Sequence, residues 1–180
     1  MGGALGTAPP ARARSVANSP AREECWDGDW PPRLRAAVAD AMTAAVGHAR
    51  AARWPFGAVL VDPADGSVVL GAGNSAEGGD VTAHAEVNLL RKAVAAGVPL
   101  RPCVVVSTAE PCPMCAGALV WSEVRGVAYG TSIAYLVSRG FPQMRVPFGE
   151  IVARSTLPRP SLAHHIRTDL TDPLYRAVPG

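Results

Sequence analysis

The sequence lacks several features that would place it in a special class of protein. No apolar run approaches the ~18 residues of a membrane-spanning helix. The N-terminus has no continuous apolar block of signal-peptide length, so we expect a cytoplasmic protein. Lysine is almost missing, since Lys92 is the only one among 17 basic residues, and a formal net charge of +2 neither requires nor excludes a nucleic-acid partner. With 180 residues, 48% of them apolar, the chain is expected to fold as one domain.

Cysteine is also scarce, with four in the chain. A protein of this length can build its core without disulfides. Cys103 opens an apolar run and is expected to be buried, and Cys25 lies in an irregular region and is expected to have no role. Cys112 and Cys115 are three residues apart, a spacing typical of metal-binding or redox-active pairs.

The N-terminal residues 1–30 show no apolar periodicity. Residues 1–22 are rich in Gly, Ala, Pro and Arg, and the next residues place four acidic side chains around Trp26 and Trp30. This composition predicts a disordered or loosely docked arm. A weak electrostatic arm for RNA and docking of the tryptophans on the domain or on a partner chain are left open.

Residues 31–138 alternate helical and strand patterns and are predicted to form the core domain. Apolar spacings of three and four predict a helix from Pro31 or Pro32 that ends before Pro55. The elements predicted after it are strands 56–62 and 68–72 as a hairpin, helix 83–96, strand 103–107, helix 112–122 and strand 126–129. This order predicts an α/β fold, a three-layer α/β/α sandwich whose mixed β-sheet has helices on both faces.

Residues 139–180 contain six prolines, which argue against a long helix. We therefore expect an irregular segment. Because an irregular tail of this length is unusual on a compact domain, we interpret it as a candidate lid over an active site. His164 and His165 lie in this tail and are expected to be exposed to solvent rather than to form a second metal pair.

Two short strings stand where a loop enters a helix: Thr82–Glu86 (Thr-Ala-His-Ala-Glu) and Glu110–Cys115 (Glu-Pro-Cys-Pro-Met-Cys). The first turn of a helix carries free N–H groups and a partial positive charge, which lower the pKa of a thiol placed there. Cys112 and Cys115 share one side of their helix end, and His84 can supply a third ligand to the same ion. Three protein ligands are typical of a catalytic zinc site, in which water takes the fourth position.

Glu86 lies two residues beyond His84. Zinc lowers the pKa of a bound water from ~15.7 toward ~7, so hydroxide becomes available at neutral pH. A carboxylate beside that water can accept its proton and return it to a leaving group. These parts suit hydroxide attack on an amidine-like ring carbon with loss of ammonia.

The His-x-Glu and Pro-Cys-x-x-Cys strings resemble the signature of zinc nucleobase deaminases. From about residue 56 to 130 the chain resembles the cytidine-deaminase-like superfamily, in the branch that holds guanine deaminases, related nucleoside deaminases and tRNA adenosine deaminases. The resemblance implies that family's fold and one Zn²⁺ per chain. It implies His84, Cys112 and Cys115 as zinc ligands and Glu86 as the proton shuttle.

The resemblance also implies substrate contacts at four positions: Phe56, Asn74, the backbone N–H of Ala85, and Trp121. Phe56 matches a pocket wall, and Asn74 matches a loop asparagine that contacts the substrate. Ala85 offers an N–H that can orient the reacting ring. Trp121 matches a tryptophan near the base in guanine deaminases, although packing in the core is an equal alternative for it. Glu110 is expected to tie a helix start by hydrogen bonding.

The leading hypothesis is a zinc-dependent aminohydrolase that deaminates a small purine base or nucleoside, similar to guanine or guanosine, as a homodimer. The tail, Trp121 and the Pro-Phe-Gly-Ala string at Pro55 favour it over tRNA adenosine-to-inosine deamination, which is the runner-up and would have tRNA as its partner. A non-catalytic zinc-stabilised interaction module is a third hypothesis. A structural zinc staple is disfavoured because no fourth ligand is evident, and a thioredoxin-like redox pair because its strand and helix context differs.

Overall fold

The computed structural model describes residues 23–178. Its strands are β1 (Cys25–Asp27), β2 (Gly57–Val61), β3 (Val68–Gly73), β4 (Val104–Ala109), β5 (Gly126–Thr131) and β6 (Ser161–His164). Its α-helices are α1 (Pro32–Ala51), α2 (Ala85–Ala95), α3 (Pro113–Trp121), α4 (Ile133–Ser138), α5 (Phe148–Arg154) and α6 (Thr168–Thr171). Short 3₁₀ turns cover Ala76–Gly78 and Asp172–Tyr175. None of the helices within 23–178 has the length and apolar character needed to cross a membrane.

The six strands form one mixed sheet in the order β1-β6-β5-β4-β2-β3. Strand β2 pairs antiparallel with both β3 and β4, which confirms the predicted hairpin. Strands β4, β5 and β6 run parallel, since helices α3 and α5 lie between them in the chain and return it to the same edge. The carboxyl ends of the parallel strands therefore share one edge, where loops lead into the helices.

Helices cover both faces of this sheet, so the predicted three-layer sandwich is confirmed. Helix α1 packs on one face through residues such as Val38 and Met42, against Val59 of β2 and Val106 of β4. Helices α2, α3 and α5 pack on the other face, where Val105 of β4 points. Successive residues of β4 thus enter opposite cores, as the alternation of a strand requires.

Residues 23–30, predicted as a disordered or loosely docked arm, are ordered, and their tryptophans dock on the domain, which was one of the alternatives left open. Strand β1 pairs antiparallel with β6 at the edge of the sheet, and Trp30 is only 3% exposed. The Trp30 indole N–H donates to the backbone oxygens of Asp27 and Leu162, at 3.0 and 3.2 Å. The segment is therefore held by strand pairing and a buried aromatic ring that composition could not reveal. The predicted disorder of residues 1–22 lies outside the described residues.

The prediction of an irregular C-terminal segment is wrong, and the core does not end at residue 138. Helix α5 and strand β6 both follow that point, and β6 is an interior strand of the sheet between β5 and β1. The prolines mark the boundaries of short elements: Pro147 is the N-cap of α5, and Pro160 directly precedes β6. Proline forbids the middle of a helix or a central strand but suits the residue just before either.

Candidate active site

Three metal-ligating side chains meet at the starts of α2 and α3. His84 is the N-cap of α2 and Cys112 is the N-cap of α3, and Cys115 lies one turn further along α3. The His84 Nδ1 atom is 3.6 Å from each sulfur, and the two sulfurs are 3.7 Å apart. The fold therefore brings together all three predicted ligands.

This triangle fits one zinc ion. Zinc bonds of ~2.3 Å to sulfur and ~2.0 Å to nitrogen, at tetrahedral angles, would separate the two sulfurs by about 3.8 Å and each sulfur from the nitrogen by about 3.6 Å. The observed separations agree with those values. The three atoms occupy three corners of a tetrahedron, which leaves one position for a further ligand.

The two thiols differ in acidity because of their positions. Donation from the Cys115 thiol and from His84 lowers the pKa of Cys112 to about 4, against the opposing effect of burial. Cys115 donates that hydrogen bond and is buried, so its pKa is raised. The neighbouring Cys112 sulfur raises the pKa of His84. Cys112 is therefore the thiol most readily available as a thiolate ligand.

Glu86 lies beside the ligands in the first turn of α2. Its side chain is 6% exposed, and its Oε1 accepts a hydrogen bond of 2.8 Å from the Ser107 hydroxyl. Burial raises the pKa of the Glu86 carboxyl, although the Ser107 hydrogen bond opposes the shift. A buried carboxylate with a raised pKa is suited to exchanging protons near neutral pH.

Glu86 and the ligands face a cavity of about 180 Å³. Aromatic side chains form its walls and amides lie among them: Trp54, Phe56, Phe141, Asn74 and Gln143. The Asn74 Oδ1 atom accepts from the backbone N–H of Ala76 at 3.0 Å. Because that bond uses the oxygen, the amide NH₂ is the part of Asn74 that can donate to a ligand. Phe56 and Asn74 thus lie at the cavity, as predicted.

Glu110 borders the cavity, but its carboxylate serves the fold. Its Oε2 accepts from the backbone N–H of Ile133 at 2.8 Å, and its Oε1 accepts from that of Phe148 at 2.9 Å. These N–H groups belong to the first residues of α4 and α5, which have no partner within their helices. Glu110 therefore ties two helix starts to the end of β4, a structural role of the predicted kind.

One predicted substrate contact, Trp121, lies away from the cavity, whereas Ala85 lies between His84 and Glu86. Trp121 ends α3 and is 75% exposed, and it does not line the cavity, so neither contact with the base in its own chain nor core packing is correct for it. Ala85 is the first residue of α2, and its methyl group is buried in the core between His84 and Glu86. Only its backbone N–H is available for the predicted role.

C-terminal residues pack against the aromatic wall of the cavity. The Tyr175 ring lies 5.2 Å from Phe56 and 5.5 Å from Phe141, and its hydroxyl donates to the Thr108 hydroxyl at 2.8 Å. Tyr175 is fully buried. The tail thus packs on the domain of its own chain, next to the cavity.

Sequence reasoning missed Trp54, Ser107, Phe141 and Gln143. Trp54 directly precedes Pro55, at the predicted end of the helix, and no pattern there marks it as a cavity residue. Ser107 places a hydroxyl at the end of an apolar strand. This polar residue in an apolar run was the signal that could have identified it. Phe141 and Gln143 lie in a loop without periodicity, and only the packing of the chain brings them to the cavity.

Comparison with known proteins agrees with this geometry. Residues 34–131 match the family model described as the cytidine and deoxycytidylate deaminase zinc-binding region. The chain is 40% identical over 90 residues to the guanine deaminase of Bacillus subtilis, a match that covers 48% of this chain and 56% of that protein. It is 44% identical over 79 residues to the tRNA-specific adenosine deaminase of Agrobacterium fabrum, covering 42% and 51%. The chain thus spans about half the length of these two relatives.

A solved structure extends the likeness of the fold. The guanine deaminase from Nitrosomonas europaea superposes with a TM-score of 0.63, covering 94% of this chain and 97% of that chain, at 22% sequence identity. At this identity the comparison establishes the fold. It extends over the terminal elements that lie outside the matched family region.

Proposed function

The chain belongs to the cytidine and deoxycytidylate deaminase zinc-binding family, and we propose that it is a hydrolytic deaminase of a small purine base or nucleoside similar to guanine or guanosine. One observation carries the proposal. Buried Glu86 and the three-ligand site with an open fourth position face the same aromatic-walled cavity. An enzyme needs these parts together, whereas a zinc-stabilised binding module would need neither the cavity nor the buried carboxylate.

The chain's own residues supply proton transfer and orientation. When bound by His84, Cys112 and Cys115, zinc would supply Lewis acidity that makes water a better nucleophile. Glu86 accepts a proton on the cavity side and returns it to the departing amino group. The Ser107 hydroxyl donates to Glu86 Oε1 and thereby restrains the rotamer of that carboxylate. Together these groups replace a ring C–N bond to the amino group with a C–O bond and release ammonia.

The cavity favours a flat and compact substrate. Pockets for drug-sized ligands are commonly ~300–1,000 Å³, and this one is about 180 Å³. The rings of Trp54, Phe56 and Phe141 offer apolar faces to a heterocycle. The amides of Asn74 and Gln143 offer hydrogen bonds to its edge. The Phe56 wall is itself supported by Tyr175 of the C-terminal segment.

Deamination of adenosine in tRNA is the alternative that a specific observation supports, since a tRNA-specific adenosine deaminase is 44% identical over 79 residues. That reaction uses the same metal and carboxylate on a base flipped out of its strand. The two proposals differ in what must surround the base. A polynucleotide needs an open path to the cavity and contacts to phosphates, whereas a free base needs a closed wall.

An ammonia-release screen across free bases, nucleosides and tRNA anticodon stem-loops distinguishes these proposals. We expect turnover of a small purine or nucleoside, with a rate that depends weakly on salt. A tRNA enzyme would lose affinity steeply as salt rises, because phosphate contacts release counterions. Activity on the stem-loop alone would establish the alternative. No ammonia from any substrate by a zinc-loaded protein would support a non-catalytic module.

A further inference from the structure

A second group of metal-ligating side chains lies outside the active site. The ligand atoms of Cys25, Asp27 and His164 all lie within 4.8 Å of one another. They meet at the edge of the sheet, where β1 pairs with β6. The active-site ligands come instead from the starts of α2 and α3.

The register of the sheet fixes this grouping. Cys25 is directly opposite His164 in the antiparallel pair, so both side chains leave the same face. Asp27 is two residues beyond Cys25 and shares that face. Backbone pairing thus places the three side chains next to one another on one face of the sheet.

The His164 ring is held from its other side. Tyr129 pairs with His164 in the parallel register of β5 and β6, and their rings stack with centroids 6.0 Å apart at 22°. Tyr129 and Cys25 thus lie on the two strands that flank His164. His164 and His165 were predicted to be exposed, but both are half-buried. His165 has a left-handed φ of 64°.

We propose that Cys25, Asp27 and His164 form a second zinc site that links β1 to β6, with water as the fourth ligand of the ion. Thiolate, imidazole and carboxylate are the three ligand types that zinc takes in proteins. Calcium and magnesium prefer oxygen ligands throughout and are disfavoured by this set. Tetrahedral zinc would bring these atoms to separations of about 3.3–3.6 Å. The Cys25 sulfur is 3.8 Å from Asp27 Oδ1, and all three ligand atoms lie within 4.8 Å of one another, so zinc binding would draw them closer together.

The local charge also favours a cation. Residues 23–29 carry four acidic side chains: Glu23, Glu24, Asp27 and Asp29. A divalent ion held by Cys25 and Asp27 would offset part of this negative charge.

The expected consequence concerns stability. Strand β1 has three residues and one neighbour in the sheet, β6. A metal bridge would add a crosslink between two segments that are far apart in the chain. Residues 23–30 would then resist opening more strongly when the second ion is bound, whether or not the protein proves to be a deaminase.

Zinc content measured on the purified full-length chain tests the proposal. After equilibrium dialysis against micromolar zinc, we expect two ions per chain in the native protein and one in Cys25→Ser and in His164→Gln. His165→Asn is the matched control, because asparagine tolerates a left-handed backbone, and it should retain two ions. Far-UV circular dichroism shows that each variant is folded, and two different ligand variants guard against the failure of either one.

The thermal midpoint gives an independent readout. A second equivalent of zinc should raise it in the native protein and in His165→Asn, and should leave it unchanged in Cys25→Ser and His164→Gln. One ion per chain in the native protein under these conditions would overturn the proposal. So would a second ion that persists in both ligand variants, since it would then lie elsewhere.

Discussion

At the scale of single residues, the site separates metal binding from proton transfer. Glu86 is not among the three ligands, so Glu86→Gln should keep zinc and the fold. It should lower the rate of ammonia release by ~10²–10⁴ or more, because a general acid and base is removed. Zinc content and turnover are measured on the same sample, with exposed Glu150→Gln as the matched control. Near-native turnover in Glu86→Gln would exclude the shuttle role.

Loss of the Cys112 ligand should change zinc content and stability, unlike the loss of Glu86. Cys112→Ala should lose most of the active-site zinc and some stability, since two ligands cannot complete the site. Cys103→Ala is the matched control, because Cys103 is buried but lies apart from the triangle. Zinc analysis and the thermal midpoint report both effects. Full active-site zinc in Cys112→Ala would remove Cys112 from the ligand set.

At the scale of elements, Glu110 joins the end of β4 to the starts of α4 and α5. Glu110→Ala would leave the backbone N–H groups of Ile133 and Phe148 without their acceptor. With ~1–3 kcal/mol for each of the two buried unsatisfied groups, the free energy of unfolding should fall by about 2–6 kcal/mol. Denaturant titration measures this loss. Glu150 forms an exposed ion pair with Arg154 and provides the control. Glu150→Ala should change the free energy of unfolding by less than about 1 kcal/mol.

The tail is the second element with a direct test. Deletion from about residue 155 would remove β6 from the interior of the sheet and unfold the protein, so it cannot test a lid. Tyr175 allows a finer change. Tyr175→Ala should raise KM for a small substrate because Phe56 loses its support, whereas Tyr175→Phe keeps the ring and should stay close to native. Equal KM values in the two variants would contradict a role for the ring.

At the scale of the whole molecule, we expect a homodimer or a larger oligomer. Large apolar side chains remain exposed on the helices of the α2 and α3 face: Val94 and Trp121, at 69% and 75%. Contact with another copy would remove them from water, which is favourable for apolar surface. Light scattering at micromolar concentration measures the mass. A fully active monomer would refute this expectation.

The sequence by itself determined the chemistry of the active site. Its ligands and Glu86 are set by short strings at two helix starts, where spacing along the chain decides which side chains share a face. The sequence also determined elements α1 to β5, because each of these segments has its own pattern of apolar residues. These features are local, so they are readable without knowing what the rest of the chain contacts.

Only the tertiary structure decided what surrounds that chemistry. Strand β6 is short and follows two prolines, so its place in the sheet depends on pairing with β5 and β1 rather than on its own pattern. Tyr175 reaches the cavity wall, and Cys25 meets His164, only because distant segments pair or pack. Such contacts depend on strand register and core packing, which one segment of sequence does not encode alone.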